Sequence, residues 1–170
     1  MKIVQGSFGS QIAMLENGQV DIAIDIEPSV SIAEDKGYPV VFPMGKFTPQ
    51  QAITGIMTTE DVINKRPELV QKVVDALQEA MNLMYKDPAV ALRVGKKIYP
   101  DLKPSIIKAA ADRMLKDAMY PRSLVVQDDL WQRTLKTRLD NGDLKKPQAT
   151  DVAVDNRFAR KAAATFPPTE

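Results

Sequence analysis

Val20, Ile22, Ile24 and Ile26 alternate with Asp21, Ala23, Asp25 and Glu27. A period of two puts the branched apolar side chains on one face of a strand and the carboxylates on the other. Ahead of this strand, Ser10 to Asn17 reads as a short helix. Ser10 is placed to accept hydrogen bonds at its start, and Gly18 to supply the left-handed residue that ends it. Lys2 to Gln5 reads as a first strand and Gly6-Ser7-Phe8-Gly9 as the loop that joins it to the helix. Pro28 to Gly37 is a second short helix, with Pro near its first turn and Gly after its end. Val40 to Phe42 and Ala52 to Thr58 read as further strands, separated by a Pro- and Gly-containing loop. Strand and helix alternate through this front part, as they do in an α/β fold with a mixed sheet.

From Thr59 onward the period changes to three and four. Thr58-Thr59-Glu60-Asp61 marks a capped helix start, and Pro67 forces the preceding residue out of the helical region, so a short helix ends there and a longer one begins. In the longer one Leu69, Val70, Val73, Leu77, Ala80, Met81 and Met84 form an apolar stripe running to about Tyr85. Further helices are expected over Pro88 to Ile98, Pro104 to Lys116, Asp128 to Asn141 and Asn156 to Ala164. Pro167 to Glu170 is expected to be a disordered tail.

Composition narrows the chemistry. The 170 residues are 44% hydrophobic, enough for a sizeable core, and 23 basic residues against 22 acidic ones leave a net charge of +1. Such a balance gives no whole-chain field for nucleic acid or an anionic membrane. There is no cysteine and no histidine, which removes disulfides, thiolate nucleophiles, zinc-thiolate sites and the usual imidazole base. The first residues lack a secretory signal pattern, and no apolar run is long enough for a membrane span.

Two places carry candidate binding chemistry. Ser7, Gly9 and Ser10 stand at a helix N-terminus, where backbone N–H groups favour an anion or a polar ligand oxygen; an ordinary helix cap explains the same residues. Asp25 and Glu27, followed by Pro28, lie on one strand face beside a turn and suit an amine, amidine or hydroxyl, because ionised carboxylates only accept hydrogen bonds. A solvated strand end is the competing explanation. The basic residues Arg133, Lys136, Arg138, Lys145 and Lys146 read as solvated surface, and the methionines and Trp131 as packing.

The run Leu15-Glu16-Asn17-Gly18-Gln19-Val20-Asp21-Ile22-Ala23, followed by Glu27-Pro28, resembles substrate-binding proteins of bacterial ABC importers for nitrate, sulfonates, taurine and thiamine-pyrimidine precursors. Arg66-Pro67-Glu68-Leu69-Val70, Gly142-Asp143-Leu144-Lys145-Lys146-Pro147 and Asp155-Asn156-Arg157-Phe158-Ala159 resemble later segments of the same family, in the same order. The resemblance implies an α/β fold of the type II periplasmic-binding class, incomplete because the N-terminal βα array is missing, with a helix-rich C-terminal half. It assigns residues 1–45 to the later part of lobe two and 46–170 to the return to lobe one. It implies a non-catalytic, periplasmic or extracytoplasmic component that binds a small polar solute and is read by a membrane permease. No cofactor and no metal are called for.

The matched positions for ligand contact are Asp25, Glu27 and Pro28, with Ser7, Gly9 and Ser10 in a pocket-facing loop. Ile26 stands where many relatives have an aromatic, which weakens any ring-stacking role. Without the front array, the strand Ala52 to Thr58 is expected to expose a sheet edge that a homodimer or a domain swap would cover. Two other functions are compatible with the pattern: a pyrimidine-precursor biosynthetic enzyme of the same fold, and a helical protein-interaction module.

Overall fold

Residues 1–7 and 9–169 are described by a computed structural model, and Phe8 of the front loop and Glu170 of the tail lie outside the described residues. The helices are α1 (Gln11–Glu16), α2 (Ser29–Asp35), α3 (Glu60–Lys65), α4 (Pro67–Lys86), α5 (Ala89–Ile98), α6 (Pro104–Lys116), α7 (Asp128–Asp140), α8 (Thr150–Ala153) and α9 (Arg157–Thr165), with one 3-10 turn at Met44–Lys46. Helix accounts for 54% and strand for none. The expected α/β architecture of the type II periplasmic-binding class is therefore overturned: among the described residues the fold is all-helical, without a sheet.

The physical reason lies in what each kind of element needs. A helix closes its own hydrogen bonds, whereas a strand is stabilised only by a neighbouring backbone and by the side chains across from it. Residues 2–5, 20–26, 40–42 and 52–58 carry strand-like sequence, but no strand ladder forms among them. The alternation survives in residues 21–27 as alternating burial: Ile22 and Ile24 are 70% and 69% exposed while Ala23, Asp25 and Glu27 are half-buried. The face expected to be buried is the one turned to solvent.

Local chemistry accounts for the helix ends. Thr59 caps α3 by accepting the Val62 N–H at 3.3 Å, as expected from its capped start, and Pro67 opens α4 at its first turn. At the end of α1, Gly18 has φ +64°. Its N–H reaches the Leu15 carbonyl at 3.1 Å, and the next N–H, from Gln19, reaches Met14 at 2.9 Å. These two bonds satisfy carbonyls that the helix leaves open. Helix α6 ends with the same pair of bonds, from Ala118 to Leu115 and from Met119 to Met114. Here the left-handed residue, φ 49°, is Ala118, which carries a Cβ.

The helices divide into two compact units, each discontinuous in sequence. Unit 1 comprises Met1–Pro43 and Pro88–Met119. Its core is α6, with Ile106, Ile107 and Ala110 buried against α2 and α5. Gly95 of α5 lies so close to Ile107 that a side chain there would collide with it.

Unit 2 comprises Met44–Asp87 and Tyr120–Glu170. Its centre is the long helix α4 packed on α9, where the small residues Ala159 and Ala162 are buried. The expected tail is tied down through Thr169: Asn82 donates to the Pro167 carbonyl at 3.0 Å, and Arg122 donates to the Thr169 carbonyl at 3.0 Å. A polar contact invisible as local pattern thus replaces the expected disorder.

Candidate functional site

The candidate site lies in unit 1, where the chain passes from the alternating segment into α2. Glu27, just before the helix, turns its side chain inward until it is 4% exposed. One carboxylate oxygen accepts the Ser31 N–H at 3.1 Å, satisfying a donor that the start of α2 leaves open. The other pairs with Nη1 of Arg113, which comes from α6, and Nη2 of the same guanidinium pairs with Glu34. Burial disfavours the Arg113 charge, but the hydrogen bond to Glu34 and the charges of Glu27 and Glu34 outweigh it and hold its pKa above the ordinary value. Arg113 therefore ties both the approach to α2, at Glu27, and α2 itself, at Glu34, to α6.

Asp25 sits two residues before Glu27 and is half-buried. Its Oδ1 accepts the Ile26 N–H at 2.8 Å, while its Oδ2 is buried with no partner among the described residues. Ser31 Oγ is also buried and unpartnered. Natural structures leave few such atoms, because a buried polar group without a hydrogen bond costs about 1–3 kcal/mol. With Asp25, Glu27 and Glu34 against Arg113, this part of unit 1 carries an excess of negative charge and of acceptor oxygens. It suits a partner that brings hydrogen-bond donors.

The remaining expected positions are placed differently. Ser10 does not cap α1: its hydroxyl donates backward to the Ser7 carbonyl at 2.7 Å, and its own N–H reaches the same oxygen at 3.0 Å. Gly9, φ +84°, lies inside that turn. The turn is tight enough that a side chain at Gly6 would meet Ser10 Oγ and the Met14 sulfur. The Ser10 hydroxyl is thus used within the turn, and only six residues of helix follow it. Pro28 precedes Ser29 at the start of α2, and the Glu27–Pro28 peptide bond is cis. Among the described residues no hydrogen bond or ion pair joins the Ser7–Ser10 turn to Asp25 or Glu27.

Sequence reasoning missed Arg113, Ser31 and Glu34. Arg113 lies 86 residues from Glu27, and nothing local announces the pairing. Ser31 had a signal, since an acidic side chain just ahead of a helix commonly reaches an N–H of its first turn. No group of residues able to hold a metal ion occurs among the described residues. Unit 2 has an open groove of about 410 Å³ between α4 and α9, lined by Pro67, Gln71, Arg157, Phe158 and Lys161. It contains no orphaned polar atom, and its Arg157 is already bound to both oxygens of Asp155, so it reads as surface relief.

Comparison of the chain with protein-family models, curated proteins and solved structures yields no match to any of them.

Proposed function

We propose that this chain is the non-catalytic, extracytoplasmic solute-binding part of an ABC importer, or a portion of such a part, recognising a small polar solute that carries hydrogen-bond donors. An amino-sulfonate such as taurine or an aminopyrimidine fits this description better than bare nitrate, which has no donor to offer. The observation that carries the reading is the orphaned Oδ2 of Asp25, an acceptor buried without a partner among the described residues. The ordered resemblance of its segments to importer binding proteins supports the transport role. The lack of histidine and cysteine fits binding without chemistry.

Titration calorimetry of the whole chain against taurine, other sulfonates, nitrate, amino acids and aminopyrimidines tests this. The expected result is binding of a donor-bearing member that weakens at least about tenfold in Asp25→Asn, because the amide places a donor where an acceptor is required. Failure of every solute to bind, or equal binding by Asp25→Asn, overturns the proposal.

A further inference from the structure

Residues 53–58, Ile-Thr-Gly-Ile-Met-Thr, are held at both ends and free in the middle. At the leading end, Ala52 donates its N–H to Thr134 Oγ1 of α7 at 2.8 Å and faces the same hydroxyl through its carbonyl at 3.2 Å. At the trailing end Thr59 is fixed as the cap of α3. Between these anchors the backbone makes no hydrogen bond to any described residue, and Ile53, Ile56 and Met57 are 82%, 67% and 93% exposed. A β-branched run of this length, without charge or proline, is a template for strand pairing.

The whole chain also exposes more surface than its mass warrants. Its 12495 Å² compares with about 8,300 Å² for one compact body of this mass, and about 10,000 Å² even for two separate compact bodies sharing it. Against the two-body figure the excess is about 2,500 Å² per chain, so a pair of copies has about 5,000 Å² to cover, the upper end of the roughly 2,000–5,000 Å² total that obligate homodimers bury. Near-zero net charge places no long-range repulsion between copies.

We infer that residues 53–58 form an antiparallel seam with the same residues of a second copy of this chain, across a two-fold axis at Gly55. In this register Ile53 stands opposite the second copy's Met57, Gly55 opposite Gly55, and Thr54 opposite Ile56. Apolar or uncharged side chains meet throughout, and every pair except the Gly55 pair on the axis occurs twice, as two-fold symmetry requires. The exposed alternating segment 20–26 is a poor seam with itself, because antiparallel pairing about its centre sets Asp21 against Asp25, and like charges directly opposite destabilise a strand pair. The inference stands independently of the solute reading, since it uses only unit 2 and the total surface.

Sedimentation equilibrium of the full chain at micromolar concentrations should show a dimer. Ile53→Lys or Met57→Glu alone should weaken self-association by at least about tenfold, each burying a charge against an apolar neighbour. The double variant should recover it, because the introduced lysine then faces the introduced glutamate of the other copy. Parallel pairing would instead set like charges opposite and recover nothing. The absence of native cysteine allows a second reading: Gly55→Cys, at a position with open space for a side chain, should cross-link to itself under mild oxidation. Gly45→Cys, equally open, should not. A monomer at every concentration, equal cross-linking at both positions, or a double variant no better than the single ones overturns the inference; a monomer that instead binds a foreign strand-forming peptide at 53–58 does so too.

Discussion

Gln78 in unit 2 and Ser31 in unit 1 are both polar, both on helices and both buried, yet their surroundings treat them in opposite ways. Gln78, 0% exposed, donates to the Arg122 carbonyl at 2.8 Å and to Asn82 at 3.1 Å, and accepts the Leu124 N–H at 3.1 Å. It stitches the chain after Tyr120 onto α4. The hydroxyl of Ser31, like Oδ2 of nearby Asp25, has no partner. The first arrangement is a finished structural joint, in which every atom is used; the second leaves acceptor capacity that packing alone does not employ. Trp131 Nε1 is the exception within unit 2, a buried donor without an acceptor.

Substitutions test this contrast, and the largest effect belongs to the finished joint. Gln78→Ala takes the partner from the part-buried Leu124 N–H and Arg122 carbonyl and empties a fully buried side-chain site, and should lower stability by about 3 kcal/mol in urea unfolding. Glu27→Gln tests whether unit 1 has a joint of its own: it removes the charge that Arg113 faces but keeps an acceptor for the Ser31 N–H. A loss of about 1–2 kcal/mol is expected, less than for a fully buried pair because Arg113 is partly hydrated and retains Glu34.

Ala118→Gly should act in the other direction, raising stability by about 1 kcal/mol by removing the Cβ from a left-handed helix end. Ser31→Ala is expected to stay within about 0.5 kcal/mol of the parent or to gain, since it deletes an unpartnered hydroxyl. A loss as large as that of Gln78→Ala would erase the contrast.

The smallest effect concerns pH. The hydrogen bond from Arg157, outweighing burial, holds the Asp155 carboxyl below its ordinary value of 3.8. The unfolded chain therefore takes up this proton first on acidification. The stabilisation is present above about pH 3.8 and fades as the pH falls through the lower value of the folded state. Asp155→Asn should flatten the acid limb of a stability–pH curve slightly below pH 4 and leave neutral pH nearly unchanged.

Helices were legible because their signals are local. Pro104 to Lys116 forms with the expected bounds, and the helices expected from Pro67, Pro88, Asp128 and Asn156 form within a residue or two of their expected ends. The four-residue α8 and the 3-10 turn at Met44–Lys46 were missed, being too short to show a period. The strands failed for a different reason. Alternation at 20–26 describes a chain ready to pair, but whether a partner backbone exists is not written in the segment itself. In the candidate site, the acidity of Asp25 and Glu27 was legible, while the pairing of Glu27 with Arg113 depends on α6 folding back over α2. Ser10 was misread because a serine before a helix serves a turn as readily as a cap.

The packing of α4 on α9 has a consequence for synthesis. Lys86 completes α4 about 80 residues before Thr165 completes the helix that covers it. At a translation rate of roughly 5–20 residues per second the apolar stripe of α4 waits about 4–16 s for its partner. During that interval the nascent chain presents a long amphipathic helix without its cover, the kind of surface that holdase chaperones bind, so the yield of folded protein should respond to chaperone supply more than the stability of the finished molecule does.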